Sequence, residues 1–391
     1  MIDTFFTTSK KREHILPNIS NTETITDIVI LAGGFGERLW PASTALCPKQ
    51  FITLSDGLSF LQTSIIRAVL LEPSGKILIV TRPEIAETIE SQVSMLREKV
   101  TEKEYDKIRK DLYIVCEPCS RHTCAPILLS CKIAEIFAPA EEHRILVLAS
   151  DHVISPAKNF VEDARKAAFH AKKGKFVLFA IPPLSPSTEF GYIKEGNSID
   201  ASGSVFEIDS FREKPDSKTA MEYLETGKYT WNSGMFLFDS KVFQEEIEKY
   251  EKEMAFQFKS LDGEKSVPYS EYGQVKIIRE WNAMDCAYKN CKSIAVDKAV
   301  AERTTQAAAV RASFSWNDAG SWDAISSLDS GDEGICVDAG GNYILSDLPV
   351  SICGASNLVV VCKNGKILVM KKGSSENMRK LVELNKTKDV L

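Results

Sequence analysis

What most constrains this chain is a succession of short, continuously apolar segments separated by amphipathic stretches. Asp27–Ala32, Lys76–Thr81, Asp111–Glu117, Arg144–Ser150 and Lys175–Ile181 are rich in β-forming apolar residues and lack the alternation of a half-exposed strand. Between them, Ser59–Leu71, Glu84–Lys99, Thr123–Phe137 and Asn159–Lys172 repeat apolar residues at helical spacing. Strands that are apolar on both faces need cover on both faces. The pattern therefore predicts an α/β fold with a doubly wound, mostly parallel sheet. Ligands of such sheets lie beyond the carboxyl ends of the strands. The polar motifs of this chain begin where those strands end.

With 391 residues there is room for one large domain, expected over 26–330, and a smaller appendage. Residues 1–25 are polar and unpatterned, and are expected to form a partly disordered extension. From 335 to 391 short strand-like pieces punctuated by Gly and Asn predict a small β-rich C-terminal domain closed by a helix over Ser375–Asn385. Asn364-Gly365 between two apolar runs predicts a hairpin. No period is clear enough for a long solenoid.

A net charge of −6 gives no electrostatic reason to expect nucleic acid as a partner. No 18-residue apolar run or leader-like segment is present, so no membrane association and a cytoplasmic location are expected. Cys116, Cys119, Cys124 and Cys131 lack the second CxxC pair of a zinc site, and reduced, packed thiols are expected.

The first strand runs straight into LAGGFGERLWPASTALCPKQF, Leu31 to Phe51. Gly33, Gly34 and Gly36 leave backbone N–H groups able to turn towards an anion, and Arg38 and Lys49 add positive charge. A tight turn would use the same glycines. The spacing matches neither GxGxxG nor a Walker loop. Further strings follow in order. They are Glu117-Pro118 with Arg121-His122-Thr123, Ala149-Ser150-Asp151-His152, Glu189-Phe190-Gly191-Tyr192-Ile193, Phe211-Arg212-Glu213-Lys214-Pro215, Trp231-Asn232-Ser233-Gly234-Met235-Phe236, Asp297-Lys298-Ala299-Val300 and Trp316-Asn317-Asp318-Ala319-Gly320-Ser321-Trp322. This ordered set resembles the sugar-nucleotide pyrophosphorylases. Leu39-Trp40-Pro41 and Pro48-Lys49-Gln50-Phe51 resemble their mannose-1-phosphate guanylyltransferase branch.

The resemblance implies a Rossmann-like nucleotidyltransferase acting on GTP and mannose 1-phosphate. It places Leu31, Ala32, Gly33, Gly34, Gly36, Arg38, Lys49, Glu117, Arg121 and Thr123 on the nucleotide, with Arg38, Lys49 and Asp151 as the catalytic set. Gly191, Glu213, Lys214 and Asn232 fall to the sugar phosphate. Asp151 and Asp318 fall to Mg²⁺, or Mn²⁺ in its place. Plainer readings stay open: Lys49 as a solvated loop lysine, Asp151 and Asp318 as turn residues, Glu213–Lys214 as a surface ion pair, and Asp297 as a cap or a supporting partner. Self-association is left open as well. The chain departs from the family pattern at His122 (for Asn), Cys124, Ser150 (for Ala), Glu189 (for Gly) and Phe190 (for Tyr). Longer members continue into a cupin-type isomerase domain. With the sequence stopping at Leu391, no isomerase activity is expected.

Overall fold

In the structure, a computed structural model describing residues 23–34 and 37–387, the apolar runs become β1 (Asp27–Leu31), β2 (Ile77–Thr81), β3 (Leu112–Cys116), β4 (Arg144–Ala149) and β5 (Phe176–Ile181). Every residue of β2, β3 and β5 is buried, as continuous apolar composition requires. Six further strands complete one sheet: β6 (Tyr192–Ser198), β7 (Val205–Arg212), β8 (Tyr229–Asp239), β9 (Ser270–Tyr272), β10 (Val275–Ile278) and β11 (Ala307–Arg311). The order is β9-β10-β3-β2-β1-β4-β8-β5-β11-β7-β6.

The sheet is mixed, which corrects the expectation of a mostly parallel one. From β10 to β4 neighbours run parallel, as do β5 and β11. Every other adjacent pair is antiparallel. Part of the difference comes from β8, which is inserted antiparallel between β4 and β5. Its Asn232-Ser233-Gly234 segment breaks the apolar run by which the other strands are recognised. Gly234 takes a left-handed φ of 69° there, and the pairing with β5 shifts register opposite this region.

The expected helices appear at Phe60–Leu70, Ala86–Met95, Cys124–Phe137 and Ala157–Lys172. Cys124–Phe137 buries ten of its residues, with Cys124, Leu128 and Cys131 in the same apolar cluster as Val29, Val115 and Val147 of the sheet. Burial in that cluster pushes the Cys124 and Cys131 thiols up. Cys119 is instead exposed. A helix the apolar pattern missed, Glu102–Asp111, begins at a capping box. Thr101 accepts from the Glu104 N–H, and the Glu104 carboxylate accepts from the Thr101 N–H.

Residues 23–33 and 64–316, which contain the sheet, form one unit. Residues 34–63 and 317–387 form another. In the second unit, Ile335–Val337 pairs parallel with Ser351–Cys353, and Tyr343–Ser346 pairs parallel with the strand Leu358–Lys363. The expected hairpin joins that strand to Lys366–Lys371, with Asn364 and Gly365 at φ 55° and 68°. Asp323 accepts from the N–H groups of Gly373 and Ser375, tying the start of Trp322–Leu328 to the segment before the closing helix Met378–Thr387. Among the described residues no helix is long and apolar enough to cross a membrane. The N-terminal extension through residue 22 lies outside the described residues.

Candidate active site

Three polar segments leave one edge of the sheet at the carboxyl ends of β1, β3 and β4. After β1, the Ala32 N–H donates to Val80, and its carbonyl accepts from the Thr81 hydroxyl at 3.1 Å. Those bonds hold the turn into Gly33 close to β2. After β3 comes Glu117, buried, with one carboxylate oxygen accepting from the Tyr288 hydroxyl at 3.0 Å. Its other oxygen, Oε1, lies beside Gly33. Burial pushes the Glu117 carboxyl up to about 7 despite the Tyr288 bond. After β4, the Ser150 N–H donates to Leu31 and brings the half-buried Asp151 to the same edge.

The helix Phe60–Leu70 secures that last turn. The Ser64 hydroxyl donates to the Ala149 carbonyl (3.1 Å), and Arg67, fully buried, donates to the His152 carbonyl (3.1 Å). On the far side, the Trp316 indole N–H donates to His152 Nδ1 at 3.1 Å. Arg67 and Tyr288 carried no motif in the sequence and were not foreseen.

Arg121 and Thr123 are engaged with the protein itself. The Arg121 guanidinium donates to the carbonyls of Tyr288 and Lys289, and the Thr123 hydroxyl accepts from the Val296 N–H at 2.9 Å. Between them, His122 is exposed with φ at 63°. Asn and His are both enriched in this left-handed region, so the substitution keeps a backbone turn that the family's Asn would also favour.

The sugar-side residues come together at the same edge, because antiparallel β8 begins where β4 and β5 end. A Cβ on Gly191 would lie 2.5 Å from Glu213 Oε2 and 3.0 Å from the Phe211 ring, so only glycine admits that carboxylate. Buried Asn232 donates through Nδ2 to Asp297 Oδ1 (2.8 Å), and its Oδ1 accepts from the Gly234 N–H (3.1 Å). Glu213 and Lys214 form the ion pair anticipated as the plainer reading, at 3.4 Å, with 59% of the Lys214 side chain exposed. Phe190 stands edge-on to both Trp231 and Trp316, with centroids 5.0 and 5.1 Å away, which fixes the loop whose family tyrosine it replaces.

In the second unit, Arg38 is exposed on a 3₁₀ turn, Glu37–Leu39. Lys49 is buried, and its ammonium donates to the main-chain carbonyl of Asp318 while lying over the Phe60 ring. It is therefore not the solvated loop lysine of the plainer reading. The half-buried Asp318 accepts the Gly320 N–H at 3.2 Å, and a Cβ on Gly320 would come within 2.7 Å of Asp318 Oδ2. Gly34 is exposed, and Gly36 lies outside the described residues.

A sequence profile of the nucleotidyl transferase family matches residues 27–333. A mannose-1-phosphate guanylyltransferase of Salmonella typhimurium is 33% identical over 375 residues, spanning 92% of this chain and 72% of that protein. One of Escherichia coli K12 is 32% identical over 366 residues, 91% of this chain and 72% of that protein. Among solved structures, a Thermus thermophilus protein titled mannose-1-phosphate geranyltransferase superposes with a TM-score of 0.73. It is 25% identical, with 93% of this chain and all of that one covered.

Proposed function

The chain belongs to the nucleotidyl transferase family, among the mannose-1-phosphate guanylyltransferases, and from that premise we propose that it converts GTP and α-D-mannose 1-phosphate to GDP-mannose and pyrophosphate. A phosphate oxygen of the sugar phosphate attacks the α-phosphorus of GTP, and pyrophosphate leaves. That nucleophile is already ionised near neutral pH, so the reaction calls for no general base. Positioning and charge neutralisation carry the chemistry.

The observation that carries this reading is the gathering of Gly33, Glu117, Asp151, Glu213 and Asn232 at one edge of the sheet. Leu31, Ala32 and Gly33 are assigned to the nucleotide from the resemblance; Ala32 is bonded to β2 through both its N–H and its carbonyl, which leaves the turn at Gly33 to meet a phosphate. Arg38 and Lys49 supply the cations of the same loop sequence, in the other unit. Glu117 serves the nucleotide as well. Arg121 and Thr123 are assigned to the nucleotide as well, each held in place by a bond to the protein that leaves the Arg121 Nη1 group and the Thr123 O–H outside those bonds. Glu213, Asn232 and the backbone at Gly191 meet the sugar, and Lys214 meets its phosphate once it leaves Glu213.

A divalent ion, Mg²⁺ or Mn²⁺, would neutralise charge on the reacting phosphates. Asp151 and Asp318 are assigned to it from the resemblance. Each is a half-buried carboxylate in its own unit, the oxygen donor a hard cation takes. The test is pyrophosphate release measured with four nucleoside triphosphates against mannose, glucose and N-acetylglucosamine 1-phosphates. Release should require GTP, mannose 1-phosphate and Mg²⁺ together. A preference for UTP or glucose 1-phosphate would reject the assignment.

A further inference from the structure

Asp297 has no role in the reaction as proposed above, yet its carboxyl group touches one of the residues assigned to the sugar. It opens the short helical turn Asp297–Ala301, and its Oδ1 accepts from Asn232 Nδ2 at 2.8 Å. Asn232 accepts in turn from the Gly234 N–H through Oδ1, at 3.1 Å. These two bonds allow only one orientation of the amide. Turned over, it would set its oxygen against the Asp297 carboxylate and its NH₂ group against the Gly234 N–H, losing both bonds for two repulsions.

The amide has a second N–H and a second oxygen lone pair beyond these two contacts, and fixing its orientation fixes which end donates and which accepts. That is a donor–acceptor pair suited to vicinal sugar hydroxyls. The site also pays attention to charge. Burial raises the Asp297 carboxyl to about 6, and the nearby Glu213 carboxylate adds to the shift. Glu213 Oε2 in turn occupies the space that Gly191 leaves. Asp297, Asn232 and Glu213 thus form one connected set drawn from three separate segments of the chain.

We propose that Asp297 is a positioning residue for sugar recognition, holding the Asn232 amide in the one orientation that offers its remaining donor and acceptor to the hydroxyls of the sugar phosphate. The proposal rests on the assignment of Asn232 to the sugar made above. It differs from a purely structural role in one consequence: losing Asp297 weakens sugar binding through Asn232, and leaves nucleotide binding alone.

The test is steady-state kinetics on Asn232→Ala, Asp297→Ala, Asp297→Asn and the double alanine variant, each checked for folding by thermal unfolding. Asp297→Ala should raise KM for mannose 1-phosphate about tenfold, the scale of one lost hydrogen bond to a charged group, with KM for GTP changed less than about twofold. Asp297→Asn retains an oxygen that can accept from Asn232 and should stay within about threefold of the parent. The double variant should be no worse than Asn232→Ala alone. Equal effects of Asp297→Ala on both substrates, or losses that multiply in the double variant, overturn the proposal. If Asp297→Ala does not fold, Asp297→Asn decides: a tenfold rise in either KM overturns it. Should Asn232→Ala leave KM for mannose 1-phosphate unchanged, the sugar-site assignment itself fails. Should Asn232→Ala raise it while Asp297→Ala does not, only the role of Asp297 falls.

Discussion

At the scale of single residues, the environment of each carboxylate decides what it can do. Glu117 is buried, and its carboxyl rises from an ordinary 4.5 to about 7. Between those values the folded chain holds a proton that the unfolded chain has released, so stability falls as pH rises through that window and levels off above it. Glu117→Gln is neutral at every pH and should remove that slope, which amounts to no more than about 3.5 kcal/mol. Denaturant unfolding of both proteins from pH 5 to 8 checks it, and an unchanged slope would mean that Glu117 ionises normally in the fold. Asp151, assigned to the metal, should behave differently. Asp151→Asn keeps the shape and removes a charge from a hard-cation site, so turnover should fall about 100- to 1,000-fold, roughly 3–4 kcal/mol. Raising Mg²⁺ should recover part of the loss. Near-normal turnover of the variant at limiting Mg²⁺ would remove Asp151 from the metal site.

At the scale of elements, the sequence was most legible where one physical signal dominated. The five mainly apolar strands and four amphipathic helices lie within two or three residues of their expected positions, the Glu84–Lys99 helix excepted, since 3₁₀ turns take up both its ends. Asn364-Gly365 forms its hairpin because the turn needs two left-handed residues and those types supply them. β8 was hidden because its polar Asn232-Ser233 and left-handed Gly234 read as a motif instead of a strand, and strand direction leaves no mark in composition. Glu102–Asp111 was legible in principle from Thr101-x-x-Glu104, a capping signal that apolar periodicity alone does not detect. Of the candidate site, the motif residues were readable and their supports were not. Arg67, Tyr288 and the Asp297–Asn232 bond depend on contacts between segments far apart in sequence. Two substitutions test the element-level account. Thr101→Ala should cost about 1 kcal/mol of stability with turnover unchanged, measured by chemical denaturation and the pyrophosphate assay. Gly365→Ala should cost about 1 kcal/mol or more, because alanine is strained at φ 68°. No loss in either would contradict the cap or the turn.

At the scale of the whole molecule, the residues assigned from the resemblance are divided between two units, with the Leu31–Phe51 sequence crossing from one to the other after Gly33. What unites them is a single chemical claim, that a sugar-phosphate oxygen displaces pyrophosphate from the α-phosphorus of GTP. The most direct measurement is the fate of oxygen. Mannose 1-phosphate carrying ¹⁸O in its three non-bridging phosphate positions is incubated with GTP, Mg²⁺ and the enzyme, and both products are weighed by mass spectrometry. The account predicts GDP-mannose that keeps all three labels, one of them now bridging the two phosphorus atoms, together with unlabelled pyrophosphate. Label in the pyrophosphate, GDP-mannose that has lost label, or no GDP-mannose at all would contradict it.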